Sequence, residues 1–232
     1  MKVYYDLHIH SALSPCADDG MRPRDIANMA KLKGLDIISV VDHVCGMNMA
    51  VAKEEAEAAG LLFLPGIEVT ASNGTHLLCY FKTLESALAF SKIIYDSLPD
   101  GPSTAAYFGN QLVFNRDDEV CGEAVKPLAA CTPYSIWEII GLTMEYFGVV
   151  VPAHINREYQ GILHTEGPTA MKEYNFTAVE VKTHLPIDYG IIKGQKIIDN
   201  SDAHILYRIN EATNWMTLTE KSVEAVFEYL AT

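Results

Sequence analysis

Positive charge is scarce in this chain. Its 17 Lys and Arg residues stand against 30 Asp and Glu, a formal net charge of −13 with His neutral. A surface of that sign repels nucleic-acid phosphates, so nucleic acid is not an expected partner. A phosphate ester is still admissible where bound cations set the field inside a pocket. Long uncharged runs are missing as well: no stretch of about 20 residues lacks charge, so no membrane span is expected. The N-terminal "MKVYYDLHIH" has no apolar signal core, which makes the cytoplasm the expected location. Cysteine occurs five times, an odd number, with no CxxC pair. That argues against a disulfide framework or a structural zinc knuckle. Most of these thiols are expected to be buried as small apolar groups, with Cys16 and Cys45 nearest in sequence to residues of chemical interest. No repeat, low-complexity tract or long linker divides the 232 residues, so a single domain is expected.

What the chain does have is an alternation of apolar runs and helical periods. "VYYDLHI", "LDIISVVDH" and "LLFLPGIEVT" read as strands, and "HLLCYF" as the hairpin partner of the last. "VVVPAHI", "TAVEV", "QKIIDNSDAH" and "NWMTL" continue the series. Between them "RPRDIANMAKLKG", "MAVAKEEAEAAG", "LESALAFSKIIYDSL", "YSIWEIIGLTMEYFG" and "EKSVEAVFEYL" read as helices. The first has Pro23 near its start and Gly34 at its close. Such alternation predicts an α/β fold with a mostly parallel sheet closed into one layer. Residues 99–131 are the least regular part and are expected to form a cap or insertion, with "NRDDE" as the turn of a small hairpin. Trp137, Tyr146 and Phe147 are expected in the core.

Six of the eight histidines lie at or beside predicted strand ends. His8 and His10 alternate on the first strand, so both face one way; Asp6 shares that parity. Asp42 and His43 end the second strand, Glu68 lies in the third and His76 starts its partner. His154 ends "VVVPAHI", and Asp202 and His204 repeat the alternation in "NSDAH". Strand ends of an α/β barrel converge at one mouth. Two unpartnered imidazoles on one inward face would carry a desolvation cost with no return. Imidazole mixed with carboxylate suits zinc, manganese or iron, and the surplus of donors over one tetrahedral shell points to two or three divalent ions.

"DLHIHS", "VDH", "GIEVT", "AHI" and "SDAH", in that order over most of the chain, resemble the polymerase and histidinol phosphatase (PHP) family. The resemblance implies a distorted (β/α)7 barrel that holds divalent metals and hydrolyses phosphoesters. It implies His8, His10, His43, Glu68, His154, Asp202 and His204 as metal ligands, with His76 as a further one. It also implies an acidic ligand in "SPCADDGMRP": counting back from Pro23 gives Asp18, and adjacency to Gly20 gives Asp19.

Around that set, Asp6 is expected to orient an imidazole, and Asp42 to support His43 or cap the following helix. Glu180 either supports the site or faces solvent. His164 and His184 are expected outside it. Arg157, three residues past His154, could clamp a phosphate with paired donors, and Arg208 is a second candidate; Lys182 is a weaker one. The expected reaction is hydrolysis of a small phosphomonoester by a cation-activated water, with Asp202, His204 and Arg157 as catalytic residues. Candidate substrates are a nucleotide, a nucleoside bisphosphate, or a sugar or amino-alcohol phosphate. Cleavage of single-stranded nucleic acid is the first alternative. Amidohydrolase-like chemistry is another, although no convincing bridging lysine is found, Lys82 and Lys182 being weak candidates. A non-enzymatic metal-binding module is the last.

Overall fold

β1 (Lys2–Ile9) is buried on both faces over most of its length, as a strand flanked by layers on either side must be. In the computed structural model, which describes residues 1–101 and 109–232, it pairs in parallel with β2 (Ile37–Val40), and β2 pairs in parallel with β3 (Leu62–Phe63). On its other edge β1 meets β11 (Trp215–Thr217) antiparallel. A second sheet is antiparallel throughout: β4 (Gly66–Thr70), β5 (His76–Tyr80) and β8 (Val149–Pro152). β9 (Ala178–Glu180) and β10 (Lys196–Ile198) form a parallel pair. β6 (Leu112–Phe114) and β7 (Val120–Glu123) form the hairpin expected around "NRDDE".

The fold is therefore mixed α/β. The expected mostly parallel sheet closed into a (β/α)7 barrel is not what the hydrogen bonding describes, since the strands fall into four separate sets. Local sequence explains the departures. Pro65 follows Leu64 and divides "LLFLPGIEVT" into β3 and β4, because proline offers no ladder donor. The turn after β4, with Gly74 at φ +89°, sends the chain straight back as β5 and makes that pair antiparallel. Two isolated bridges, His43 to Glu68 and Ile9 to Ala203, join the sheets at the ends that carry histidines.

The helices begin where the sequence supplies a start. α1 (Pro23–Leu32) has proline in its first turn and is followed by Gly34 at φ +80°. α2 (Met49–Ala58) and α3 (Leu84–Ser97) follow, the latter capped by the Thr83 side chain. α4 (Ile136–Glu145) opens with a reciprocal capping box between Ser135 and Glu138. α5 (Ile162–Thr165) and α6 (Ala170–Glu173) are single turns that the apolar pattern does not reveal. α7 (Val223–Ala231) is capped by Ser222 and lays Phe227 and Leu230 on an apolar cluster with Leu7, Leu78, Tyr80 and Val151. A larger cluster, including Ile26, Phe90 and Ile139, fills the space towards the other helices.

Three core expectations are corrected. Trp137 and Phe147 are 53% and 81% exposed: α4 buries the face carrying Ile136, Ile139 and Thr143 rather than Trp137, and Phe147, at φ +60°, lies beyond the helix. Only Cys45 and Cys79 are buried thiols; Cys16, Cys121 and Cys131 are exposed. Part of the segment expected as a cap, residues 102–108, lies outside the described residues.

Candidate functional site

The end of β1 presents His8 and His10 side by side, with their Nε2 atoms 3.1 Å apart and both residues fully buried. Each ring has its Nδ1 engaged on the far side. His8 Nδ1 donates to Glu180 Oε2 at 2.8 Å, and His10 Nδ1 meets Ser14 Oγ at 3.0 Å. Since Ser14 Oγ donates onward to Asp42, it accepts from His10. Both Nε2 atoms are thereby aimed at one point, where each offers a lone pair once its ring is neutral. His204 repeats the device, with Nδ1 bonded to the Asp202 backbone oxygen at 2.8 Å.

Glu68 sits in the middle. His8, His10, His43, His76 and His154 each place a ring nitrogen within 3.4 Å of one of its oxygens. Asp202 Oδ1 lies 3.3 Å from the Nε2 atoms of both His8 and His10. Several of these approaches have the distance of a hydrogen bond without its direction. His43 Nδ1, Glu68 Oε2 and both ring nitrogens of His154 are buried with no hydrogen-bond partner. Leaving one such group unmet costs about 1–3 kcal/mol, so a cluster of them marks a place where something else is to be held. Three overlapping groups of donors, His8–His10–Glu68, His43–Glu68–His76 and His10–His43–His204, have their atoms within 4.8 Å of one another. Nitrogen and carboxylate donors at that spacing could hold zinc, manganese or iron.

Backbone strain accompanies the arrangement. His154 and Asp202, each just beyond a strand, have φ of +27° and +56°. Non-glycine residues rarely adopt such values, and the cost of order 1–3 kcal/mol is tolerated where surrounding contacts fix the position. Arg157 lies one turn past His154, about one-third exposed, with its guanidinium on Asp202. The same loop closes on Gly161, where a Cβ would lie 2.5 Å from the Ile155 oxygen and 2.6 Å from those of His154 and Arg157. Beside Arg157 a pocket of about 250 Å³ opens, lined by Asn156, Glu158, Leu163, His164 and Pro186 among others.

The ionisation of the cage follows from its crowding. Burial raises the pKa of Glu68 and Asp202, yet facing imidazoles outweigh it and hold both well below the carboxylate range. Burial lowers His8, but Glu180, Asp202 and Glu68 overcome it and bring the ring to about 10. His10 is pushed down by burial and by His204 and His43. His154 is brought to about 4, chiefly by burial. Cys16 would be raised by burial, but hydrogen bonding to His204 and His43 lowers it to about 6.

The structure thus brings together His8, His10, His43, Glu68, His76, His154, Asp202 and His204, with Arg157 at the rim. It does not bring in Asp18 or Asp19. Asp18 is exposed, and its carboxylate accepts from the Gly20 N–H at 2.8 Å; Asp19 accepts from Asn110. Arg208 is exposed beside the ring of Tyr207 and has no ion pair among the described residues. His164 and His184 are exposed.

Two supporting residues take other roles than expected. Asp6 touches no imidazole and instead accepts from the backbone N–H groups of Ser201 and Asn210, tying β1 to the loop that carries Asp202. Asp42 gathers the Ser11 and Ser14 hydroxyls rather than His43. Glu180 is the carboxylate that orients His8. It is fully buried and held by Asn200 and by Lys182, whose Nζ lies 3.1 Å away. The signal for it was a lone acid inside the apolar run "TAVEV". For Cys16, with Sγ 3.2 Å from His43 Nε2, the signal was its nearness in sequence to the first histidine pair.

No protein-family model matches the chain. A 3',5'-nucleoside bisphosphate phosphatase of Chromobacterium violaceum is 34% identical over 71 residues, 31% of this chain and 24% of that protein. Among solved structures, a lesion-specific endonuclease, PfuEndoQ from Pyrococcus furiosus, matches with a TM-score of 0.73 at 20% identity. That match covers 99% of this chain and 56% of the endonuclease, so the chain spans little more than half of that neighbour's length. A Bifidobacterium adolescentis chain provisionally assigned as a metal-dependent phosphoesterase matches with a TM-score of 0.63 at 17% identity, over 98% of this chain and 95% of that one. With an endonuclease among the structural neighbours, the expectation against nucleic acid rests on net charge alone. No helix among the described residues is long and apolar enough to cross a membrane.

Proposed function

We propose that this chain, whose fold is that of the PHP-type metal-dependent phosphoesterases, hydrolyses a phosphomonoester of a small molecule. The observation that carries the reading is the convergence of His8, His10, His43, His76 and His154 on Glu68, with Arg157 poised beside it on Asp202. Divalent cations bound among these residues would supply the Lewis acidity that phosphoester hydrolysis requires.

The chain's own residues do the rest. His8, His10, His43, His76, His154, His204, Glu68 and Asp202 hold the cations, and Glu180 keeps His8 in the tautomer that exposes Nε2. Arg157 turns from Asp202 to the phosphoryl group, where its forked donors meet two oxygens and offset the charge that grows there. Asp202 lies between the cage and Arg157 and so sets the spacing of both. The pocket of about 250 Å³ beside Arg157 suits a compact leaving group. Buried apolar residues beneath the cage, Leu7 and Leu78 among them, keep water from the far side.

A second reading, cleavage of a nucleic-acid diester, draws on the endonuclease neighbour. The net charge of −13 weighs against it. The deciding test restores zinc, manganese or iron to stripped protein and assays two substrate sets. One is a panel of small phosphomonoesters, nucleoside bisphosphates included; the other is labelled single strands and a duplex bearing an abasic lesion. Inorganic phosphate from the first set with intact oligonucleotides supports the monoesterase reading. Cut oligonucleotides with no phosphate from any small ester replace it with the nuclease one.

A further inference from the structure

We infer that Cys16, with His43 and His204, forms a thiolate–imidazole cation position of its own within the cage, one that selects zinc or another thiophilic ion over manganese. The inference rests on the reading of the cage as a cation site and adds a ligand to it.

The loop after β1 is built to deliver this thiol. Ala17 N–H donates to the Ser14 oxygen and Asp18 N–H to the His204 oxygen, both at 2.9 Å. Gly109, at φ +103°, packs so closely that a Cβ there would stand 2.6 Å from the Pro15 oxygen. Asn110 holds Asp19, and Leu112 N–H reaches the Ala12 oxygen at 2.8 Å. Pinned from outside in this way, the loop turns both acids outward and Cys16 inward. Its Sγ lies 3.2 Å from His43 Nε2 and also faces His204.

The cysteine does not stand alone. His204 has its Nδ1 occupied by the Asp202 oxygen, which frees Nε2. His10, His43 and His204 bring ring nitrogens within 4.8 Å of one another, and the rings of His10 and His204 stack 4.3 Å apart. His43 turns its Nδ1 towards Glu68, 3.0 Å away, which leaves Nε2 on the side of the thiol. Crowded imidazoles and a thiol cannot all satisfy one another as donors, whereas one shared electron acceptor serves them all. This place is apart from the focus of His8 Nε2, which lies on Glu68 and Asp202. Sulfur with imidazole nitrogen favours zinc, cobalt or iron, while manganese prefers oxygen.

Cobalt(II) reads the bond directly. Cobalt-loaded protein should show sulfur-to-cobalt charge-transfer absorption in the near ultraviolet. Cys16→Ser should lose it and retain one equivalent less of zinc, with manganese uptake unchanged. Asp18→Asn and Cys131→Ser should keep the band. A measurement on unaltered protein runs in parallel: zinc should slow alkylation of Cys16 at least about tenfold, mapped by mass spectrometry, and leave Cys121 and Cys131 as reactive as before. Cobalt uptake without the band, a band that survives in Cys16→Ser, or a Cys16 that zinc does not shield overturns the inference and leaves the cage intact. Failure to take up any cation overturns the cage itself.

Discussion

His8 donates its Nδ1 proton to Glu180 across 2.8 Å, and both side chains are wholly buried. Lys182, 3% exposed, stands on the other side of the same carboxylate. Glu180 therefore stays ionised in the interior, and the imidazole is locked in the orientation that points Nε2 into the cage. Replacing Glu180 by Gln should weaken cation binding about 10–100-fold, read by competition with a chromophoric chelator. Lys182→Met, which strands the buried carboxylate, should cost about 3–5 kcal/mol in urea unfolding. Unchanged values in both variants would reduce the Lys182–Glu180–His8 chain to packing.

His8→Ala and Asp202→Ala should each abolish phosphate release while the circular dichroism stays near that of the parent. Each removes a donor from the cage; neither side chain belongs to the apolar clusters that hold the sheets together. Turnover at the parental rate in either would refute the site.

Arg157→Ala should lower kcat/KM for a phosphomonoester about 10²–10³-fold, the scale on which a lost donor to developing oxyanion charge is felt. Arg157→Lys should recover only part of this, since a point charge cannot reproduce the fork. Cation content should not change. An arginine that serves only as a surface ion pair would leave the rate untouched.

In ion-free protein His8 is held at about 10, against an ordinary 6.5, and a cation needs its neutral ring. Binding therefore displaces a proton, and affinity should rise with pH below about 10, by about tenfold per unit for that proton. Calorimetry in two buffers of different ionisation enthalpy measures the proton released. Stability of the ion-free fold has two opposed contributions. The proton on His8 stabilises fully below 6.5, and that contribution fades as pH rises towards about 10. His154, kept neutral down to about 4, destabilises the fold as pH falls from 6.5. Unfolding followed across this range should show a maximum between the two limbs.

Gly161→Ala tests the loop. Its new Cβ would meet three carbonyl oxygens at 2.5–2.6 Å, forcing the backbone that carries His154 and Arg157 to shift. Both the melting temperature and kcat should fall. A variant as stable and as fast as the parent would mean that the loop has slack.

Much of this was legible in the sequence because period and chemistry agreed. The strands that carry His8 and Glu68, and those that lead to His43, His154 and Asp202, were readable from apolar runs; the strand expected through "NSDAH" stops at Ile198, so Asp202 and His204 stand on a loop and do not alternate on a strand. The hairpin at Gly74 was legible; the division of the strands into four sets was not, because Pro65 splits a run whose composition reads as one strand. Nor was the exposure of Trp137, since an apolar helix declares that it packs without declaring which side. Asp18 lies away from the cage for a spatial reason: counting along a loop cannot show that Gly109 and Asn110 press on it from across the chain. Glu180 and Lys182 were ambiguous because a charge in a strand reads the same whether it is partnered in the interior or solvated.

Glu68 has two oxygens and serves five rings. Whatever occupies one side of that carboxylate changes the charge and tilt available to the other, so the cations cannot load as strangers. A titration of stripped protein should be steep rather than stepwise, with half-filled molecules rare. The same sharing leaves little room for gradual change, because an alteration at this one side chain disturbs every seat around it at once.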